Sequence, residues 1–245
     1  MRAAGAISGA ALLSALVLVA CAARADDSNI CFGVSEESDS AIIRVARVIG
    51  SGRAGFVESA TTAADKATCP SANAACKTSS YVLPGDLLLV EDAPGDYACA
   101  TFQTPKGGGH GGWLSKARLE MKTPPQPKLV DWAGKWKRAE AEIELKVKGD
   151  KIESDGEATW GAGDARRVKM GGVHVGNFDG SSAPRGATLA VGDGYDGAQS
   201  PPAGGDDTGC KVRMRLFSPF MLVEDNQNCG GANVSFSGIY LRATK

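Results

Sequence analysis

Histidine is scarce in this chain, with two residues, His110 and His174, among 245. That removes most of the acid–base and metal chemistry that relies on imidazole. His110 stands in a glycine run and His174 in the alternating segment Val173-His174-Val175, so neither adjoins a nucleophile or a second ligand. A strong charge of either sign is also missing. The formal net charge is −1, and without Arg2 and Arg24 of the first 25 residues, 25 basic residues face 28 acidic ones. A nucleic-acid partner calls for a strongly basic surface, so none is expected. No apolar run reaches the roughly 20 residues of a membrane-spanning helix. The spacing Cys69-x6-Cys76 is poor for zinc and has no nearby histidine, so no metal or other cofactor is expected. The run from Lys106 through His110 to Gly112 lacks the G-x-x-x-x-G-K-[ST] order of a phosphate loop and opens no helix; it reads as a hairpin tip. The acidic stretches at 192–197 and 206–207 lack the D-x-[DN]-x-[DN]-G order of a calcium loop and read as loop.

The N-terminus does carry a signal. Arg2 precedes an eleven-residue apolar run at 10–20, and Ala23-Arg24-Ala25 has the small-x-small pattern of a signal-peptidase site. Residues 1–25 are therefore expected to be a cleaved signal peptide. The competing reading is Leu18-Val19-Ala20-Cys21 as a lipobox, which would lipidate Cys21 and tether the protein to a membrane. Localisation is accordingly expected to be periplasmic or secreted, with a lipid-anchored form as the alternative.

Cysteine parity points the same way. Of seven cysteines, Cys21 belongs to the signal, four (Cys31, Cys69, Cys76, Cys99) lie before residue 122 and two (Cys210, Cys229) after it. An even number in each half is what a disulfide framework in an oxidising compartment predicts. Cys210 has only Cys229 available in its half. In the other half the preferred pairing is Cys69 with Cys76 and Cys31 with Cys99. Between the halves, Thr123-Pro124-Pro125-Gln126-Pro127-Lys128 has three prolines in six residues, as in a stiff linker. The expected division is a domain over 26–122, a linker over 123–128 and a second domain over 129–245.

In the first domain a strand is expected over 42–48, then a long loop over 61–80 pinned by its own crosslink. Tyr81-Val82-Leu83-Pro84-Gly85-Asp86 reads as a strand into a turn, 87–90 as a strand, Ala93-Pro94-Gly95-Asp96 as a turn and 97–103 as a strand. Gly112-Trp113-Leu114 opens another, with a short last segment at Ala117-Arg118-Leu119. This order over residues 81–119 resembles the bacterial SH3-like domain, in which a Pro-Gly-Asp turn precedes the second strand and a Gly-Trp pair opens the fourth. The LNVRSGPS signature of that family is absent and residues 53–80 are longer and crosslinked. The resemblance implies a small β-barrel and a cell-wall peptide ligand. Tyr97 and Trp113 are the residues placed to line an aromatic groove, although a small barrel also needs such rings to fill its interior.

The second domain alternates cleanly. In Glu142-Ile143-Glu144-Leu145-Lys146-Val147-Lys148 every second residue is apolar, so Ile143, Leu145 and Val147 are expected to face a core. Val212, Met214 and Leu216 alternate with Lys211, Arg213 and Arg215, Ser218-Pro219 turns the chain, and residues 220–224 return. A turn centred there sets residue 210 opposite 227, two places from Cys229. Trp132-Ala133-Gly134-Lys135-Trp136 reads as a strand opening and resembles the G-x-W start of lipocalin-like barrels. With residues 224–240 it resembles the terminal β-barrel of uncharacterised proteobacterial envelope proteins, some named for lysozyme inhibition. Six to eight antiparallel strands in a small barrel are expected.

The fold class is thus all-β, an SH3-like barrel followed by a lipocalin-like small barrel. The expected function is non-enzymatic: an exported binding or adaptor protein that contacts cell-wall glycopeptide or another envelope protein, with membrane contact only through a lipidated Cys21. One alternative is an inhibitor of a wall hydrolase such as lysozyme, acting through the cationic row Lys211, Arg213 and Arg215. The other is a wall hydrolase itself, for which carboxylates are plentiful although none has an apolar sequence context that would raise its pKa.

Overall fold

A computed structural model describes residues 30–61, 64, 66–104, 108–192 and 209–243. The signal segment with Cys21, Lys106 of the glycine run, and most of the two acidic stretches (193–197 and 206–207) lie outside the described residues. The fold is all-β, with two antiparallel sheets of seven and eight strands.

The first sheet is built from β1 (Ile43–Val48), β2 (Ala54–Val57), β3 (Lys77–Val82), β4 (Leu87–Glu91), β5 (Tyr97–Gln103), β6 (Gly109–Ser115) and β7 (Leu119–Lys122), in the order β3-β2-β6-β5-β4-β1-β7. Both faces of its central strands are covered, which is why Leu87-Leu88-Leu89-Val90 is continuously apolar rather than alternating. Ala46, Val48, Leu88, Val90, Ala98 and Ala100 meet Phe56, Val82 and Leu114 on one face. The other face is divided. The β5–β6 part packs Cys99 and Trp113 against Cys31, Val57 and the Cys69–Cys76 crosslink; the β1–β4 part, with Ile43 and Leu89, packs against the second sheet.

Two features depart from the sequence reading here. Residues 54–57 form β2, and the loop expected to run to residue 80 gives way to β3 at Lys77. The glycine run is a strand from Gly109 onward, paired with β5 through Gly109↔Gln103, Gly111↔Thr101 and Gly112↔Ala100. Its glycines allow a close crossing. A Cβ on Gly111 would lie 2.3 Å from the Phe32 carbonyl oxygen and 2.8 Å from Gly33 Cα. The N-terminal segment is held on that platform by the Cys31–Cys99 disulfide and by the Val34 amide, which donates to Thr101 Oγ1 at 2.7 Å.

The second sheet comprises β8 (Gly134–Arg138), β9 (Ala141–Lys148), β10 (Lys151–Trp160), β11 (His174–Ser182), β12 (Thr188–Gly192), β13 (Lys211–Phe217), β14 (Phe220–Asp225) and β15 (Gly238–Arg242). Their order is β11-β10-β9-β8-β15-β14-β13-β12, an up-and-down meander in which the last strand pairs with the first. The outer strands β11 and β12 lie against each other, so the sheet is a nearly closed barrel. Inward positions two residues apart fill it: Trp136, Ile143, Leu145, Leu189, Val191, Met214, Met221, Val223, Phe236 and Tyr240. Val147 departs from its alternation and is 41% exposed, because the end of β9 projects past the packed interior. Trp132 is not in a strand but ends a one-turn helix, α1 (Leu129–Trp132), and is fully buried under the barrel. Its carbonyl accepts from Trp136 Nε1 at 2.9 Å. Arg242 lies 4.6 Å over the Trp136 ring and donates to the carbonyls of Ala133 and Asp131, tying the last strand to the entry of the first.

Three disulfides join Cys31–Cys99, Cys69–Cys76 and Cys210–Cys229, with Cα separations of 5.5, 5.7 and 4.5 Å. These spacings suit unstrained bridges, and the bonds are compatible with an exported, oxidising location. No described helix is long and apolar enough to cross a membrane.

The segment 123–128 has neither helix nor strand, yet the two sheets do not stand apart on it. Phe217, Phe220, Leu222 and Ile239, on the outer face of the barrel, pack against Val34, Ile43 and Leu89. Beside this contact, linker residues 123–126 and Arg215 line a crevice of about 260 Å³.

Candidate functional site

A broad hollow lies on the divided face of the first sheet, at the end of β5. Tyr97 opens β5 and Trp113 lies in β6 opposite Cys99, so the two rings are diagonal neighbours on one face. They line a groove of about 670 Å³ between two walls. One wall is the segment 67–72, crosslinked by Cys69–Cys76; the other is the turn Ala93-Pro94-Gly95-Asp96. The sequence reading placed Tyr97 and Trp113 together, and the structure brings them together. It also gives Trp113 the packing role: that ring is 5% exposed and wedged between two disulfides, with only an edge on the groove. Tyr97 is half-buried beside it.

Both walls are held firmly. Lys116 Nζ binds Asp92 Oδ1 at 2.8 Å and also donates to the Ala93 carbonyl, while the Lys116 amide donates to the Asp96 carbonyl at 2.8 Å. Gly95 takes φ +101°, a conformation this turn needs and L side chains avoid. On the opposite wall Lys66 pairs with Glu58, and the Cys69 amide donates to the Lys66 carbonyl. The walls offer small or cyclic side chains (Ala67, Pro70, Ala72, Ala93, Pro94) and two hydroxyls, Thr68 and Ser71, and among the described residues Asp96 is the one charged side chain lining the groove. Such a surface suits an extended ligand that stacks an apolar face on the floor and carries donors toward the rim. Sequence reasoning missed these wall residues, although the short crosslinked loop was their signal.

The cationic row is different from what the alternation suggested. Lys211, Arg213 and Arg215 do face outward from β13, but outward here is not water. Arg215 is 8% exposed and Lys211 7%. The Arg215 guanidinium donates to the Ser38 carbonyl and Ser40 Oγ, each at 2.7 Å, and to the Glu36 carbonyl. Burial, then the neighbouring Arg213 charge, lowers its pKa below the ordinary arginine value. Arg213 pairs with Glu224 directly across the β13–β14 ladder. Arg215 therefore helps to join the two sheets, and the row offers no open cationic face.

The histidines are far apart in the fold. The His110 ring packs against Phe56 in the first sheet in a T-shaped pair with centroids 4.7 Å apart, while the His174 ring centroid lies 5.2 Å from that of Trp160 in the barrel and its imidazole bonds the Ala232 carbonyl. Among the described residues no group of three or more His, Cys, Asp or Glu is placed to hold a metal ion. Neither a model of a known protein family, nor a curated protein, nor a solved structure matches the chain.

Proposed function

We propose that this is an exported envelope binding protein whose N-terminal groove takes cell-wall glycopeptide. The observation that carries the reading is the pairing of Tyr97 and Trp113 at the floor of a groove with crosslinked and salt-bridged walls. A rigid concave site loses little ordering entropy on binding, and the half-buried Tyr97 ring, backed by Trp113, offers an aromatic face to a sugar or peptide unit. The export signal, the three disulfides and the resemblance of residues 81–119 to SH3-like domains support the same assignment. On this reading the barrel is a scaffold fixed to the binding unit through Arg215 and the Phe217–Phe220 contact.

The test is sedimentation of the purified protein with cell-wall sacculi. Ala72 is exposed on one wall, so Ala72→Arg fills the groove without disturbing the core. Ala72→Arg and Tyr97→Ala are each expected to weaken binding about tenfold or more; Ala72→Arg should leave melting unchanged, whereas Tyr97→Ala should also lower it because the ring packs on the crosslinked core. Wild-type protein that stays in the supernatant, or two variants that bind as wild type, overturns the reading. Release of soluble wall fragments that one carboxylate substitution abolishes would make the protein a hydrolase instead.

A further inference from the structure

The connection between β10 and β11 carries a feature that neither the core nor the groove uses. It folds into a short helix, α2 (Ala165–Lys169), at the end of the barrel that also carries the Cys210–Cys229 crosslink. The Asp164 side chain caps its start, accepting from the Arg166 amide at 2.8 Å. Its end is closed by the Gly172 amide on the Arg167 carbonyl and the Gly171 amide on the Val168 carbonyl, with Gly171 at φ +68°. Arg167 lies 3.9 Å over the Trp160 ring at the rim, which ties the helix to the barrel.

This well-anchored element holds apolar side chains out into water. Val168 is 55% and Met170 72% exposed, and Val175, at the adjoining start of β11, is 67% exposed. Three of the eleven exposed large hydrophobics of the described chain thus fall within eight residues. Around them stand Arg166 and Lys169, both exposed, with Arg167 folded over Trp160. The acids at the foot of the helix are Asp164, which caps it, and Glu140, which accepts from the Gly163 amide at 2.9 Å, in a protein whose overall charge is −1. An isolated exposed apolar residue needs no explanation, but a convex apolar tip ringed by cations is the surface that enters the headgroup region of an anionic bilayer. A rigid protein pocket would more often be met by an aromatic anchor.

We infer that this end of the barrel is a peripheral membrane contact, with Val168 and Met170 entering the acyl boundary of an anionic bilayer and Arg166 and Lys169 on the headgroups. It is independent of the groove and requires no lipid on Cys21.

The experiment uses the exported chain from residue 26 onward, so that neither the apolar run at 10–20 nor an acyl chain on Cys21 contributes, and vesicles of phosphatidylcholine with or without phosphatidylglycerol. Co-sedimentation is expected with the anionic vesicles, weakening as salt rises, and far less with neutral ones. Val168→Asp with Met170→Asp, and separately Arg166→Glu with Lys169→Glu, are each expected to weaken it about tenfold or more. All four side chains are exposed, so circular dichroism should match wild type. Absence of binding to anionic vesicles, or binding that both double variants retain, overturns the inference. Equal retention by soluble polyglutamate would assign the surface to an acidic protein and overturn the lipid assignment as well.

Discussion

Replacing Arg215 by alanine should uncouple the two sheets. Its guanidinium makes three hydrogen bonds to the segment 36–40, more than 170 residues away in sequence, and it remains charged because arginine does not deprotonate in proteins. Charge-assisted bonds contribute about 1.5–3 kcal/mol each. Three of them give about 5 kcal/mol or more before the cost of keeping a guanidinium out of water, and that cost of several kcal/mol is relieved by the substitution. The carbonyls of Glu36 and Ser38, both partly buried, then lose their charged donor, and water in the neighbouring crevice replaces it only in part. The net loss is expected to be about 2–3 kcal/mol. Urea unfolding can follow it with tryptophan fluorescence, since Trp113 reports the first sheet and Trp132, Trp136 and Trp160 report the barrel. Wild type should unfold in one transition. Arg215→Ala should shift it to lower urea, and adding Phe220→Ala should split it in two. A shift under about 0.5 kcal/mol, the range of an ordinary surface change, would refute the reasoning that Arg215 couples the units.

Three further predictions concern stability. With sequence separations of 68, 19 and 7, replacing both cysteines of a bridge by serine should cost about 4 kcal/mol for Cys31–Cys99, 3 for Cys210–Cys229 and 2 for Cys69–Cys76 from loop entropy; denaturant melts of the three double variants check the ranking. Gly111→Ala should cost about 2 kcal/mol or more because its new methyl would meet the Phe32 backbone, whereas Gly55→Ala, with nothing within 4 Å of the added carbon, should stay within about 0.5 kcal/mol. Hydrogen bonds from Lys135, then Lys137, lower the Glu142 pKa. Its folded pKa is below its unfolded one, so its contribution is full above the ordinary glutamate range and is lost as pH falls through the folded value. Glu142→Gln should flatten the fall in melting temperature across that acid window and change little at neutral pH.

How much of this was legible beforehand follows contact distance along the chain. The β13–β14 hairpin could be read directly, because alternating side chains and a two-residue turn at Ser218-Pro219 leave one register that keeps Val212, Met214 and Leu216 inward. The same register brings Cys210 near Cys229, and cysteine parity supplied the rest. Ile143 and Leu145 were legible for the same reason. The floor of the groove was half legible: Tyr97 and Trp113 sit on neighbouring strands joined by a short connection. The walls were not, since a string of alanines, serines and prolines carries no pattern until a crosslink folds it against the turn at 93–96. The glycine run was half legible: it does join the paired strands β5 and β6, but from Gly109 onward its glycines are strand positions where another backbone passes close, and only the position of Phe32 shows that.

The cationic row draws the line most clearly. Alternation within β13 settles which side chains leave the barrel interior, because a strand has two faces and one was taken by Val212, Met214 and Leu216. It cannot say what the other face meets. That was decided when Val34, Ile43 and Leu89 found Phe217, Phe220 and Leu222, and the carbonyls of residues 36 and 38 came to lie over Arg215. Local periodicity is a property of the strand, and burial on its outer face is a property of whatever the rest of the chain lays against it.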